Sequence, residues 1–169
     1  MSAQDMPITD QDRFTIIDAS DVAPYFEGFE PSPSFETFTK VKYMDKTIEL
    51  DYEYSSESLD DPYITNTISI ENSSKDAISS ASLQWNAFKL TVKAMGMDVE
   101  EKNDFYTAGD DSRFADLNSE GETVGHILMV RNGNLVSFFA ISGYIMTDPE
   151  IWHELFDERI EQLPLIKPN

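Results

Sequence analysis

Carboxylates are the side chains with the most chemistry to offer in this chain. Asp and Glu number 32 against 12 Lys and Arg over 169 residues, a formal net charge of −20, and cysteine is absent. Three groups of acids have a spacing that could matter. Glu49, Asp51 and Glu53 recur at every second position, which sets all three on one face of a β-strand. Such a ladder could meet a basic partner; the plainer alternative is a solvated strand face partly neutralised by its own lysines. Asp60 and Asp61 stand before Pro62 and read as a turn. The third group is Asp110, Asp111 and the run Asp116-Leu-Asn118-Ser-Glu120-Gly121. That run opens like a calcium loop, with oxygen ligands at positions 1, 3 and 5 and Gly at 6. Position 12 would be Ile127 instead of a bidentate Glu, and the flanks look like strands, so a polar hairpin tip over 118–121 is favoured.

Bases and nucleophiles are sparse. The two histidines are His126, in an apolar strand, and His153, on an exposed helix face. His126 could act as a base poised by an acid, but a hydrogen-bonded strand histidine accounts for it better, and no serine is placed beside either ring. Arg131 fits a cross-strand ion pair. Phosphate-cradling glycine loops, metalloprotease helices, nucleophile elbows and paired-cysteine motifs are all missing. Paired carboxylates are so common here that nominating two as acid and base has no specificity.

Charge narrows the partners. A pI near 4.1 argues against nucleic acid, which needs a basic footprint, and favours basic proteins, basic peptides or divalent cations. Hydrophobic residues make up 40% and aromatics 12%, too many for a disordered acidic chain, so the charge coats a folded body. No apolar run of about 18 residues is present, so no transmembrane segment is expected. The polar start carries no leader-like segment, which suits the cytoplasm, or the periplasm or exterior if a leader has been removed.

The elements that would position these groups can be read from periodicity. Residues 1–12 look like a polar tail and 13–169 like a single α+β domain. Residues 18–36, rich in proline, read as an irregular loop or short helix packed by Tyr25, Phe26 and Phe29. Residues 37–54 read as a hairpin. A two-residue turn at Asp45-Lys46 would set Lys42 opposite Glu49 and Lys40 opposite Asp51, with Val41 and Tyr43 opposite Leu50 and Ile48. After Pro62, Ile64, Ile68 and Ile70 share the apolar face of a strand, where Asn66 needs a partner. The stripe Ile78, Ala81, Trp85, Phe88, Val92 and Met95 predicts a helix over 73–95, capped by Ser73 and stopped by Gly96. Weak strands follow at 97–99 and 105–107, and a better one at 113–117. Residues 124–142 form a hairpin about an Asn132-Gly133 turn, its first strand apolar on both faces. The last helix starts with a capping box from Thr147 to Glu150 and buries Trp152, Leu155, Phe156, Ile160 and Leu163, with Pro164 and Pro168 ending it. The fold class expected is α+β, an antiparallel β-sheet packed by a long central helix and a C-terminal helix.

This order of elements resembles the Mog1/PsbP-like fold, including its DcrB-type bacterial lipoprotein domains. The resemblance is carried by the acidic tyrosine-bearing strand 48–54, the late hairpin with Arg131-Asn-Gly-Asn134 followed by Phe138-Phe-Ala-Ile-Ser-Gly143, and the closing helix from Asp148-Pro-Glu-Ile-Trp152. It implies a non-enzymatic binding, assembly or inhibitory module, and it transfers no functional residue. The function expected is therefore a non-catalytic acidic protein that docks on a basic protein or peptide, with an immunity or inhibitor role as its concrete form and no cofactor. The contact residues would be Glu49, Asp51, Glu53, Asp60, Asp61, Asp110, Asp111 and Glu120. The alternative is an extracytoplasmic accessory or lipoprotein-type domain that binds a small ligand or calcium.

Overall fold

Eight strands pair into one antiparallel sheet, because side-by-side pairing satisfies their backbone groups once a face is buried. The computed structural model describes residues 3–165. In chain order the elements are β1 (Gln4–Asp5), α1 (Asp10–Thr15), α2 (Ala19–Val22), β2 (Glu36–Lys42), β3 (Ile48–Tyr54), β4 (Tyr63–Ile70), α3 (Ser74–Ala94), β5 (Asp98–Glu101), β6 (Asp111–Ser119), β7 (Glu122–Asn132), β8 (Leu135–Ser142) and α4 (Pro149–Gln162). Short 3-10 turns lie at Ala23–Tyr25, Pro33–Phe35 and Leu163–Leu165. The strand order is β1-β2-β3-β4-β8-β7-β6-β5, an α+β sheet as expected.

The two faces of the sheet are covered unequally. On one face Leu50, Tyr52, Ile64, Ile68, Phe139, Leu128 and Phe114 meet Ile16 and Ile17 from the link between α1 and α2, Val22 of α2, and Trp152, Leu155 and Phe156 from α4. On the other, Ala77, Ala81, Trp85 and Val92 of α3 cover Ala115, Leu117, Ile127, Met129 and Val136. Those residues belong to β6, β7 and β8, so α3 shields only that half. β7 is therefore apolar on both sides, with Ile127, Leu128, Met129 and Val130 all buried. On that side α3 reaches only as far as β4, where Gln84 Nε2 donates to Ser69 Oγ at 3.1 Å, and among the described residues β2, β3 and β4 give no side chain to the apolar cluster under it.

Several local expectations need correction. The β2–β3 register pairs Lys42 with Ile48 and Lys40 with Leu50, one residue away from the expected pairing. The cause is a three-residue loop. Lys46 takes a φ of 75°, and Asp45 accepts hydrogen bonds from the Thr47 backbone (3.0 Å) and hydroxyl (2.7 Å). A one-residue slip reverses every side chain, so both lysines leave the carboxylate face. The β7–β8 turn is Gly133-Asn134 instead of Asn132-Gly133, since Asn132 pairs with Leu135. Gly133 has a φ of 62° at the first central position, as a II′ turn requires. Here each strand partner moves by two residues, so the faces are unchanged.

The N-terminal twelve residues are not a free tail over their described part. Gln4 and Asp5 pair with Lys42 and Val41, and Thr9 caps α1 through a reciprocal box with Asp12. In α3, Ala77 takes the buried position expected for Ile78, which is turned out of the stripe and 54% exposed, and Met95 at the end of the helix is 69% exposed. Asp148, not Thr147, caps α4 through the Glu150 backbone N–H (3.0 Å). Residues 105–107 are turn and coil in place of a weak strand. Pro164 lies within the 3-10 turn that extends α4, and Pro168 lies outside the described residues.

Candidate functional site

A groove runs between α3 and the uncovered half of the sheet. Its position follows from the helix's footprint: α3 packs on β5, β7 and β8, so the floor steps down to β4 and β3 beside it. Glu49, Asp51 and Thr67 form one side, Phe138 the floor, and Gln84, Ala87, Phe88 and Thr91 the other wall, around a volume of about 380 Å³. Strand alternation aims Glu49, Asp51 and Glu53 to this face as the sequence predicts.

Each of the three carboxylates accepts one neutral donor. The Tyr43 hydroxyl donates to Glu49 Oε1 (3.0 Å), Thr67 Oγ1 to Asp51 Oδ1 (2.7 Å) and the Tyr63 hydroxyl to Glu53 Oε2 (3.1 Å). None of the three takes part in an ion pair among the described residues. The expected neutralisation by lysines is absent because of the register. Lys40 turns to the opposite face and pairs with Asp12 at 3.0 Å. Lys42, the partner of Ile48, also belongs to that face. Partial burial holds the Glu49 carboxyl above its ordinary pKa, and the neighbouring Asp51 and Glu71 charges add to the effect.

The other nominated acids lie elsewhere. Asp60 and Asp61 form the turn after Ser58, and Glu120 is the first residue of the Glu120-Gly121 turn, where both φ values are positive (54° and 85°). Tyr63 pairs with Ser142, Ser142 with Gly125 and Gly125 with Leu117, so these three acids share one end of the sheet. Asp110 and Asp111 lie at the opposite end. Asp110 is engaged by Arg131 Nη1 (3.1 Å) and the Gly133 N–H (2.8 Å), so its charge locks the β7–β8 turn. The eight residues therefore form three separate groups.

The calcium-like run folds as strand and turn. Asp116 is buried on β6, where it meets Lys102 Nζ and lies 2.8 Å from His126 Nδ1. Asn118 bonds to Glu100 (3.2 Å) and Thr123 (3.0 Å). Among the described residues, no group of three or more His, Asp or Glu side chains is placed to hold a metal ion. Both ring nitrogens of His126 are committed. Nε2 accepts the Met146 backbone N–H at 2.8 Å, which assigns the proton to Nδ1 and directs it to Asp116. A ring with no free lone pair has none to offer a substrate. His153 is exposed and reaches Asp157 at 3.0 Å.

Compared with protein-family models, curated proteins and solved structures, the chain matches none. The resemblance to the Mog1/PsbP-like fold thus rests on element order alone. Among the described residues no helix is long and apolar enough to cross a membrane. The groove wall formed by Ala87, Phe88 and Thr91 was not foreseeable, because periodicity places Phe88 on a buried stripe without saying how far the sheet extends beneath it.

Proposed function

We propose that this is a non-catalytic binding protein that docks on a basic protein partner through the carboxylate ladder of β3, with an immunity or inhibitor role as its concrete form. The observation that supports this is the inward turn of Lys40, which leaves Glu49, Asp51 and Glu53 with no ion-pair partner among the described residues. Three carboxylates of one strand held by neutral donors, two of them lining the groove and Glu53 exposed beside it, are poised for charged donors from outside. A lysine or arginine entering there replaces a tyrosine or threonine hydrogen bond with a charge-assisted one, roughly twice as strong. Net charge of −20 speeds the encounter, while contacts in the groove hold the complex.

The test is titration with a blocked octalysine peptide at low and at high salt. The triple variant Glu49→Gln, Asp51→Asn, Glu53→Gln should bind at least about tenfold more weakly, a loss of roughly 1.4 kcal/mol. The pair Asp60→Asn, Asp61→Asn should stay within about twofold, since rim charges contribute mainly to encounter. Equal binding by the triple variant, or binding indifferent to salt, would remove the proposal.

A further inference from the structure

The acidic groove does not end at Thr91. It continues along α3 into a second depression of about 210 Å³, lined by Phe88, Val92, Met95, Met97, Leu117 and Ala140 among others. Phe88 and Thr91 border both halves. The two halves differ in chemistry. The first has Glu49 and Asp51 on its sheet side; the second has two methionines, a valine and a leucine and no charged side chain in its lining.

The spacing of the halves is set by their common elements. The first uses Gln84, Ala87, Phe88 and Thr91 of α3 and the second Phe88, Thr91, Val92 and Met95, an offset of about four residues or roughly 6 Å along the helix. Along β8 the lining moves from Phe138 to residues 140–142, about three residues or roughly 10 Å. Same-side residues of an extended chain are separated by about 7 Å.

Resting on the basic-partner reading above, we infer that the groove takes one extended segment of the partner that carries a lysine or arginine for the Glu49–Asp51 half and, two residues along, a large aliphatic side chain for the methionine-lined half. Charge complementarity fixes the occupant's cation, and the uncharged lining fixes the neighbour. Flexible thioethers at Met95 and Met97 suit aliphatic side chains of differing shape, since methionine adapts to its contact. Met95 is 69% exposed and borders the second depression, so its side chain is open to an entering one. The segment would lie against side chains of the sheet face, so its recognition depends on the paired residue types and not on strand addition at an edge.

Three blocked nine-residue peptides test this, each with threonine at odd positions: one with lysine at positions two and four and leucine at six and eight, one with four lysines and one with four leucines. The mixed peptide and its reversed sequence are both titrated at low salt. The better of the two should bind at least about tenfold tighter than the lysine peptide. Met95→Ser, at an exposed site that the fold tolerates, should cut that advantage to about threefold or less without changing the affinity of the lysine peptide. Glu49→Gln with Asp51→Asn should weaken the mixed and lysine peptides together. If the lysine peptide binds as tightly as the mixed one, the paired-site inference fails and the basic-partner reading survives. If neither lysine-bearing peptide binds, or if the leucine peptide binds best, both fail.

Discussion

Lys40 and Asp12 form an ion pair withdrawn from solvent, with Nζ 3.0 Å from Oδ2 and side chains 1% and 2% exposed. Nζ also lies 3.1 Å from Oδ1, and Asp12 Oδ2 accepts the Thr9 backbone N–H at 2.7 Å, so the pair fastens the first helix to the second strand.

Breaking that pair from one side strands a charge in the interior. Lys40→Met should cost about 3–5 kcal/mol, whereas Lys40→Met with Asp12→Asn should recover most of the loss. Chemical denaturation of the two variants checks this, and equal stability for single and double variants would argue that Asp12 finds water or another donor.

Glu49 is expected to trade stability for binding. Its pKa is raised, chiefly by burial and then by Asp51, so the folded chain keeps a proton there that the unfolded chain has released. The contribution of Glu49 to stability therefore falls as pH rises from the ordinary carboxylate value through the raised one, and then levels off. Glu49→Gln keeps an acceptor for the Tyr43 hydroxyl and removes the charge. Its melting temperature at neutral pH should rise by about 1–2 °C, with the gain vanishing in acid. Scanning calorimetry at neutral and acid pH reads the outcome.

His126 works in the other direction. Burial lowers its pKa against the opposing pull of Asp116. As pH falls through the ordinary imidazole range, the unfolded chain takes up a proton that the folded chain refuses, so stability drops until the folded ring itself titrates. His126→Asn should be less stable at neutral pH and should lose less between about pH 7.5 and 5.5 than the native chain does. Long-range nitrogen–proton NMR correlations should place the neutral ring's proton on Nδ1; finding it on Nε2 would contradict the Met146 contact.

Gly125 sits where β7 and β8 come closest. A Cβ there would lie 2.2 Å from the Ile141 carbonyl oxygen and 2.9 Å from the Ser142 Cα, both backbone atoms that cannot swing aside. Gly125→Ala should destabilise by about 2–3 kcal/mol, the upper part of the usual overpacking range. Urea unfolding measures it; a loss well under about 1 kcal/mol would show that the two strands part to admit the methyl group.

Much of the fold was legible because side-chain period fixes faces even where register is missed. Ile64, Ile68 and Ile70 lie on the buried face as expected, and Asn66 among them finds the partners it needed in the Ile17 N–H (2.8 Å), Ser137 Oγ (3.3 Å) and the Phe138 carbonyl (3.1 Å). The Ser73 cap and the left-handed Gly96 stop of α3 also stand. At β7–β8 the misplaced turn cost nothing, since a two-residue shift keeps parity. At β2–β3 a single extra loop residue moved Lys40 and Lys42 across the sheet. Nothing in the periodicity of 37–54 separates the two registers as strongly as the φ of Lys46 and the Asp45–Thr47 bonds do. The groove was illegible for a different reason. It depends on how many strands α3 spans, and that is a property of the whole sheet.

At one side the sheet finishes with β1, two residues long; at the other it finishes with β5, where Asp98, Glu100 and Glu101 occupy three of four positions. Stubby, anionic margins of this kind repel a second copy and give an incoming strand little backbone to hydrogen-bond. Lateral growth into fibrils or ribbons is thereby discouraged.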